Sequence, residues 1–254
     1  MAKDIVDVSG KIALVSGASR GIGEAIARGL AEHGAEVIVT SRDLEACEAV
    51  AASIREGGGK AVALKCHAGK MEDIDTLFAE ITSRYGRLDI LINCGGTSPY
   101  YGPIAETPLA AYEKTMDVNL RGPFFMSAKA VPLMRKAGGG AIVSVASVYA
   151  IRAGVNAGVY SITKAALVSM TEAFAKEYGP ENIRVNAILP GLVDTRMTDY
   201  FKSDVKGLQA KIDTFPLRRM ADPEDMVGGV LYLVSEAARY TTGVSLVMDG
   251  GATL

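Results

Sequence analysis

The sequence has no tryptophan, few histidines and few cysteines. Its two histidines and three cysteines are widely spaced: His33, His67, Cys47, Cys66 and Cys94. Zinc sites need clusters of these residues at short, regular spacings, so no metal site is expected. An odd number of scattered cysteines also argues against a disulfide framework and is typical of reduced thiols. We therefore expect a cytoplasmic protein without bound metal.

Long apolar runs and blocks of like charge are also missing. No stretch approaches the roughly 20 apolar residues that cross a bilayer. Residues 1–9 lack the apolar core of a secretory signal, and the chain ends in Thr253-Leu254 instead of the peroxisomal signal Ser-Lys-Leu. With a net charge of −2 and no basic patch, neither a membrane nor a nucleic acid is an expected partner. What remains is an ordinary globular balance, with 49% hydrophobic residues.

A glycine-rich loop follows the first apolar run. Residues 12–15 are typical of a buried parallel strand, and the helical spacing of Ile22, Ile26 and Leu30 predicts a helix. A strand, a glycine loop and a helix N-terminus together can bind a pyrophosphate, although a plain strand–helix turn is the alternative. The spacing, G-x-x-x-G-x-G, differs from the commoner G-x-G-x-x-G. The predicted cofactor-binding residues here are Gly17, Ser19, Arg20, Gly21, Ile22 and Gly23.

The end of the second predicted strand, residues 36–40, bears on the choice of cofactor. An acidic residue at this point would bind the ribose 2′-hydroxyl of NAD, but the chain has Ser41 and Arg42. Asp43 is expected to cap the next helix. Ser41, Arg42 and Arg20 together suit a 2′-phosphate. The predicted cofactor is therefore NADP(H), with NAD(H) less favoured; for Arg42 alone, a solvated strand end is the alternative.

Strand and helix patterns then alternate to the end of the chain without a linker or repeat. Further strands are predicted at residues 61–64, 88–93, 141–145, 183–189 and 245–248. Thr107 and Pro108 are expected to cap and open a long helix, which Gly122, Pro123 and Pro132 bend or divide. The predicted fold is α/β: one Rossmann-like domain over residues 1–254, with a doubly wound parallel sheet of about seven strands and helices on both faces.

Tyr160 and Lys164 form a second chemical signal. Four residues apart on a predicted helix, they lie on one face. An ammonium beside a phenol favours the phenolate, so we expect the pKa of Tyr160 to fall below its usual value of about 10. Such a tyrosine can exchange a proton near neutral pH, and Ser147 could hydrogen-bond the oxygen that changes charge. This pair also occurs on many solvated helices, so its meaning depends on the other motifs.

Over essentially its whole length, the chain resembles the short-chain dehydrogenase/reductase family. Besides the glycine loop and the Tyr160/Lys164 pair, the motifs are Asn93-Cys94-Gly95-Gly96, Asn119, Ser147, Pro190-Gly191-Leu192-Val193-Asp194-Thr195 and Asp249-Gly250-Gly251. The resemblance implies that Tyr160 is the proton donor or acceptor and that Ser147 polarises the substrate oxygen. It implies that Lys164 lowers the pKa of Tyr160 and binds the nicotinamide ribose. Asn119 would hold a water that links Lys164 to solvent.

The resemblance also implies further cofactor contacts. Val193, through its backbone, and Thr195 would hold the carboxamide, and Gly191 would leave room for the ring. The full implied set is His67, Ala68, Asn93, Gly95, Tyr160, Lys164, Pro190, Gly191, Val193 and Thr195. The chain departs from the family pattern at Cys94 and Gly95, where asparagine and alanine are usual. It also departs at His67, where an aspartate is common near the adenine. His67 could stack on the adenine or fill a polar edge.

The implied activity is NADP-dependent interconversion of a ketone or aldehyde and an alcohol. General carbonyl reductases, among them relatives of the retinal/dicarbonyl reductases, and 3-oxoacyl reductases both have similar motifs. A 3-oxoacyl reductase must dock an acidic carrier protein, for which Lys129, Arg135 and Lys136 are available. The alternatives are an NAD-dependent polyol, sugar or steroid alcohol dehydrogenase, and a dinucleotide-binding sensor or scaffold without turnover. The intact catalytic set disfavours the last of these.

Substrate and assembly are predicted more coarsely. The expected cleft is apolar and takes a medium-sized molecule, with walls that include Tyr100, Tyr101, Tyr149, Ile151, Val155, Met197 and Phe201. Arg152 could meet an anionic group, although a solvated loop arginine is the simpler interpretation. Family members of this kind imply a homotetramer built on the two long helices and on the last helix and strand. That last helix carries Met226, Val230, Leu231 and Leu233, which a buried core helix would also explain.

Overall fold

The computed structural model describes residues 5–254, apart from the Phe201 side chain. It contains one seven-stranded sheet in which every neighbouring pair of strands is parallel. The strands are β1 (Ile12–Ser16), β2 (Glu36–Ser41), β3 (Lys60–Lys65), β4 (Ile90–Asn93), β5 (Gly140–Val145), β6 (Ile183–Pro190) and β7 (Ser245–Met248). Their order across the sheet is β3-β2-β1-β4-β5-β6-β7. The predicted sheet is confirmed, with strand boundaries that differ by at most two residues.

Helices cover both faces of this sheet. They are α1 (Gly21–Glu32), α2 (Leu44–Glu56), α3 (Met71–Tyr85), α4 (Leu109–Met116), α5 (Gly122–Ala137), α6 (Gly158–Tyr178), α7 (Val205–Ile212) and α8 (Val227–Val234). One apolar core packs α1, α2 and α8 on the sheet, and the other packs α3, α5 and α6 on the opposite face. Alternate residues of β1 supply the two cores: Ala13 and Val15 belong to the first, and Leu14 to the second.

The strand order reverses beside β1, and this reversal locates the site. From β1 the chain proceeds outward through β2 to β3, then returns to place β4 on the other side of β1. The connections that leave β1 and β4 therefore diverge at the carboxyl ends of these two strands. A crevice opens there, and ligands of doubly wound sheets bind in it.

The long central helix is divided, as predicted, but by a π-helical turn at Asp117–Arg121 between α4 and α5. Gly122 follows directly, and a Cβ atom there would lie 2.1 Å from the carbonyl oxygen of Ala68. Only a glycine therefore lets α5 start against the loop after β3. Pro132 does not divide the helix, since α5 runs through it to Ala137. A π turn often marks a functional position, and this one carries Asn119.

The apolar residues of the last helix belong to the core of the subunit. Met226, Val230, Leu231 and Leu233 are all buried within it. They therefore provide no surface for a partner chain, and the idea that α8 has apolar surface to spare is wrong. Within residues 5–254, no helix combines the length and the apolarity that crossing a bilayer requires.

Candidate active site

The carboxyl ends of the strands open into a cleft of about 960 Å³. It brings together eighteen of the residues predicted for the site, although they come from loops far apart in sequence. These are Gly17, Ser19, Arg20, Gly21, Ile22, Gly23, Ser41, Arg42, His67, Ala68, Gly95, Ser147, Tyr160, Lys164, Pro190, Gly191, Val193 and Thr195. Two predicted residues, Asn93 and Asn119, do not line it.

The glycine loop is shaped to receive a pyrophosphate. Gly17 has a φ of +73°, and a Cβ atom there would lie 2.7 Å from the Cα atom of Gly95. A Cβ atom on Gly23 would lie 2.2 Å from the carbonyl oxygen of Gly17. The loop thus packs against itself, and the N-terminus of α1 faces the cleft without a side-chain cap. Its free N–H groups and positive dipole end suit an anion, so the residues present fit a dinucleotide cofactor.

The loop after β2 forms the ribose end of the cleft. Asp43 caps α2 as predicted, because its carboxylate accepts a hydrogen bond from the Ala46 N–H at 3.1 Å. The Ser41 hydroxyl accepts a hydrogen bond from the Asp43 N–H, also at 3.1 Å. Arg20 and Arg42 are exposed at the cleft, and no salt bridge pairs either guanidinium within residues 5–254. Two unpaired cations therefore flank a position that has no free acidic side chain.

The predicted proton-transfer residues come from α6 and from the loop after β5. The Lys164 ammonium nitrogen lies 5.4 Å from the centre of the Tyr160 ring and donates a hydrogen bond to the Val145 carbonyl oxygen at 2.7 Å. Ser147 is held by its own backbone turn, since its Oγ accepts from the Tyr149 N–H at 3.1 Å. The Tyr149 ring meets the Tyr160 ring edge-on, with 6.2 Å between centroids.

Burial, more than charge, sets the pKa values of this pair. Desolvation raises the pKa of Tyr160 to about 12, although the Ser147 hydroxyl opposes the change. The same desolvation lowers the pKa of Lys164 to about 8. The predicted lowering of the Tyr160 pKa by Lys164 is therefore not found. The reason is that burial, which disfavours the charged phenolate, has the largest effect on the pKa of Tyr160, and Lys164 is not among the groups that lower it.

The two asparagines outside the cleft hold its walls in place. Asn119 binds the Thr97 backbone twice: Oδ1 accepts from the Thr97 N–H at 2.8 Å, and Nδ2 donates to the Thr97 carbonyl at 2.9 Å. Its second amide proton goes to the Thr163 hydroxyl. The side chain can therefore only accept a hydrogen bond from a water. Asn93 is buried and donates to Ser127 of α5 at 3.1 Å; its predicted contact with the cofactor stays a prediction.

The segment after β6 lies at the cleft, and Gly191 has a reason within the fold besides the one that the resemblance implies. A Cβ atom there would lie 2.8 Å from the Cα atom of Asp249, so the glycine permits packing against the segment after β7. The Val193 carbonyl accepts from the Thr198 hydroxyl at 2.8 Å, which leaves its N–H as the main-chain group for a ligand. Thr195 lies opposite Gly21, whose Cβ atom would be 3.3 Å from its methyl group.

The predicted apolar walls lie at the cleft only in part. Of the six proposed side chains that the structure describes, only Met197 lines it. Tyr149 packs on Tyr160, and the Tyr101 ring lies 5.0 Å from the Tyr200 ring, so neither tyrosine lines the cleft. Tyr100 turns back and donates to the Pro103 carbonyl. Arg152, Ile151 and Val155 are exposed and outside the cleft.

Several contributors to the site were not predicted from sequence. Thr163 binds Asn119, Gly69 donates its N–H to the ring of His67 at 3.1 Å, and Lys114 and Val118 line the cleft. Thr163 precedes Lys164 directly, so its position next to the catalytic pair was the available signal. Cys94 lines the cleft and interacts with Lys164, but burial raises the pKa of its thiol to about 12. That thiol is not a nucleophile at neutral pH.

Known proteins resemble this chain over nearly its whole length. A family model described as enoyl-(acyl carrier protein) reductase matches residues 17–253. Human dehydrogenase/reductase SDR family member 4 is 36% identical over 244 residues, which cover 96% of this chain and 88% of that protein. The chain belongs to the short-chain dehydrogenase/reductase family. It is accordingly an oxidoreductase that acts on alcohol or carbonyl groups with a nicotinamide cofactor.

Solved structures of this family superpose closely. A putative NAD(P)-dependent gluconate 5-dehydrogenase from Beutenbergia cavernae, with bound NADP, has a TM-score of 0.94 at 34% identity, covering 98% of this chain and 99% of that one. A 7α-hydroxysteroid dehydrogenase complexed with NADH and 7-oxo glycochenodeoxycholic acid has a TM-score of 0.92 at 32% identity, covering 99% and 98%. The two structures hold different cofactors.

Proposed function

We propose that this short-chain dehydrogenase/reductase prefers NADP(H) and interconverts a small ketone or aldehyde with the corresponding alcohol. The observation that carries the cofactor choice is the pair of unpaired guanidiniums, Arg20 and Arg42, beside Ser41 at the ribose end of the cleft. Hydrogen bonds to charged groups contribute about 1.5–3 kcal/mol each. Two such contacts to a 2′-phosphate are enough for a strong preference over NAD(H).

The residues of the cleft divide the chemistry among them. The bound cofactor supplies or accepts the hydride. Tyr160, whose pKa of about 12 keeps it protonated at neutral pH, donates its proton to the substrate oxygen during carbonyl reduction and accepts it in the reverse direction. Ser147, fixed by the Tyr149 N–H, holds the same oxygen. Lys164, anchored on the Val145 carbonyl, would bind the nicotinamide ribose.

A free small molecule is favoured over a carrier-bound 3-oxoacyl group as the substrate. Of the three basic residues considered for docking a carrier protein, Lys129 pairs with Asp75 and Arg135 pairs with Glu181. Arg135 and Lys136 lie in the last turn of α5, which leads into the amino end of β5. The cleft opens at the carboxyl ends of the strands. An acidic carrier bound at this basic surface would therefore be at the wrong edge of the sheet.

The cofactor proposal is tested by comparing NADPH with NADH. We expect kcat/KM to be at least about tenfold higher with NADPH, and Arg42→Asp to reverse much of that preference by repelling the 2′-phosphate. Arg239→Asp is the matched control, because it makes the same charge change at an exposed arginine outside the cleft. Equal use of the two cofactors by the wild type would refute this role for the arginines.

The alternative functions can be distinguished by the substrates and cofactors that the protein turns over. A dehydrogenase of sugars or steroid alcohols has support from the names of the two superposed structures, gluconate and hydroxysteroid dehydrogenases, although only the second of them was solved with NADH. A panel of ketones, aldehydes, sugar acids and steroid alcohols, run with both cofactors, distinguishes it from the carbonyl reductase. A sensor or scaffold would bind the cofactor and oxidise none of it with any ketone.

We also propose a homotetramer with a cytoplasmic location. Its main contact is the α5–α6 groove, an apolar depression of about 430 Å³ that includes Met116, Leu120, Phe124, Phe125, Met170 and Phe174. Phe124 and Phe125 are 44% and 38% exposed, which is unusual for adjacent phenylalanines in a monomer. The second contact is β7, the last strand of the sheet, with Val247 exposed. Buried free thiols at Cys47 and Cys66 suit a reducing compartment.

A further inference from the structure

The Ser41 hydroxyl, at the ribose end of the cleft, is held by two neighbouring residues through three hydrogen bonds. The Asp43 N–H donates to its oxygen at 3.1 Å, and the Cys47 thiol donates to the same oxygen, also at 3.1 Å. Its own proton goes to the Asp43 carbonyl oxygen at 3.1 Å. A hydroxyl has two lone pairs and one proton, so both lone pairs are occupied. The proton is therefore the only part of the Ser41 hydroxyl that a ligand can receive.

The thiol of Cys47 reaches Ser41 from the buried face of α2. The other buried residues of this helix are Val50, Ala51 and Ile54, so the thiol is the one polar group on an apolar face. Burial raises the pKa of the Cys47 thiol, which keeps the proton on the sulfur at neutral pH. An apolar residue would also pack at this position. What the thiol adds is a hydrogen-bond donor for Ser41.

The Ser41 proton can turn from the protein to a ligand at low cost. The Asp43 carbonyl that accepts it also accepts the Cys47 main-chain N–H, at 3.2 Å. This carbonyl therefore keeps a partner when the hydroxyl proton leaves. A phosphate oxygen is charged and is a stronger acceptor than a peptide carbonyl. The two donors on the Ser41 oxygen also polarise its O–H bond, which strengthens the hydroxyl as a donor.

We propose that Cys47 is a positioning residue for cofactor selection: together with the Asp43 N–H, its thiol makes Ser41 a hydroxyl that only donates, and such a hydroxyl favours the 2′-phosphate of NADP(H). At about pH 8 the oxygens of a phosphate only accept. The ribose 2′-hydroxyl of NAD(H) donates as well, so it binds Ser41 better when a lone pair there is free. The inference rests on the proposed binding of NADP(H) at the ribose end of the cleft.

The test is equilibrium binding of NADP⁺ and NAD⁺, measured by calorimetry at about pH 8. We expect the wild type to bind NADP⁺ at least about tenfold more tightly. Cys47→Ala should lower this ratio by about three- to tenfold, because Ser41 becomes a weaker donor and gains a lone pair for the ribose hydroxyl. Cys47→Val also lacks the S–H but fills the space of the thiol. It should give the same lowered ratio, and it serves as the test if the alanine variant is unstable.

A double-mutant cycle shows whether Cys47 acts through Ser41. Ser41→Ala removes the hydroxyl and should itself lower the ratio. In that background Cys47→Ala should change the ratio by less than about twofold, because no hydroxyl is left to orient. Val50→Ala is the matched control, since Val50 lies on the same buried face of α2 and outside the cleft. It should lower the melting temperature and leave the ratio at the wild-type value.

The outcomes separate this inference from the proposed function. Three results overturn the role of Cys47 while the preference of the wild type for NADP⁺ stands: an unchanged ratio in Cys47→Ala and Cys47→Val, an equal effect of Cys47→Ala with and without the Ser41 hydroxyl, or an equal effect of Val50→Ala. A wild type that binds the two cofactors equally refutes the proposed preference, and the inference falls with it.

Discussion

At the scale of single residues, burial at Tyr160 and Lys164 has opposite effects on the two side chains. It holds the phenol in its protonated form and weakens the hold of the amine on its proton, with pKa values of about 12 and about 8. Near neutral pH the tyrosine hydroxyl is therefore protonated, and it holds the proton that it is proposed to donate in carbonyl reduction. The spacing in the sequence predicted that the two residues would meet. It could not predict their pKa values, because desolvation depends on the loops that cover them.

Replacing Tyr160 with phenylalanine removes only the hydroxyl. We expect kcat to fall by about 10²–10⁴, the usual contribution of a general acid, while NADP⁺ affinity and melting temperature stay near the wild-type values. Steady-state rates, calorimetry and thermal unfolding check the three parts. Tyr100→Phe is the matched control, because that hydroxyl bonds to the Pro103 carbonyl outside the cleft. Near wild-type turnover in Tyr160→Phe would rule out this residue as the proton donor.

Lys164 should make folding stability depend on pH. Its pKa is lowered from 10.5 to about 8 in the folded chain, so between these values the unfolded chain binds more protons. The free energy of unfolding therefore rises with pH through this window, and below pH 8 the buried ammonium costs about 3 kcal/mol.

Lys164→Met removes that dependence. The free energy of unfolding of the variant minus that of the wild type, measured with urea, should be about 2 kcal/mol larger at pH 7 than at pH 9.5. Taking the difference between the two pH values cancels the lost hydrogen bond to Val145, which is missing at both. Lys176→Met, at an exposed lysine of the same helix, should show no such difference. Parallel stability curves for wild type and Lys164→Met would contradict the lowered pKa.

At the scale of elements, the sequence predicted well what local patterns determine. Apolar runs located every strand to within two residues, and Asp43 was correctly predicted as the cap of α2. Contacts between distant segments were harder to predict. The π turn at Asp117–Arg121 depends on packing of α5 against the loop after β3, and the role of Gly191 depends on Asp249. Gly122 packs on Ala68 and Gly191 on Asp249, and in both cases the two residues are far apart in sequence.

The glycine loop offers a sharp test of such packing. Gly23→Ala would place a Cβ atom 2.2 Å from the Gly17 carbonyl oxygen, which is backbone and cannot move aside cheaply. We expect a loss of about 1–3 kcal/mol in stability and weaker NADP⁺ binding, because α1 must shift away from the loop.

Gly228→Ala is the control for that substitution. Gly228 also lies in a helix, but no heavy atom lies within 4 Å of its Cβ position. Alanine there should be neutral or stabilise the protein by up to about 1 kcal/mol, through helix propensity and a less flexible unfolded chain. Chemical unfolding of both variants measures the contrast. Similar stabilities for the two would show that the loop has room for a side chain.

At the scale of the whole molecule, the apolar residues of α8 and α5 look alike in sequence and differ in the folded chain. The α8 side chains Val230, Leu231 and Leu233 fill the core, while Phe124 and Phe125 of α5 remain exposed. Sequence pattern alone could not separate the two helices. Both pack on the sheet, and both carry more apolar residues than one buried face needs. Burial in the folded chain makes the distinction: it removes α8 from the implied contacts and leaves the two long helices, α5 and α6, which the resemblance also implied.

The proposed homotetramer is tested by replacing one exposed residue of the α5–α6 groove. A tetramer with two different two-fold contacts falls into dimers when one contact is lost, because the other survives. Phe125→Asp puts a charge into the α5–α6 groove, and burying that charge against a second copy would cost several kcal/mol. A single subunit should tolerate the aspartate, because position 125 is exposed. Light scattering after size exclusion should give half the wild-type mass. Val155→Asp, which makes the same change at an exposed apolar residue away from the groove, should stay tetrameric. A wild type that runs as a monomer at micromolar concentration, or a Phe125→Asp variant with unchanged mass, would show that copies of this chain do not meet at the α5–α6 groove.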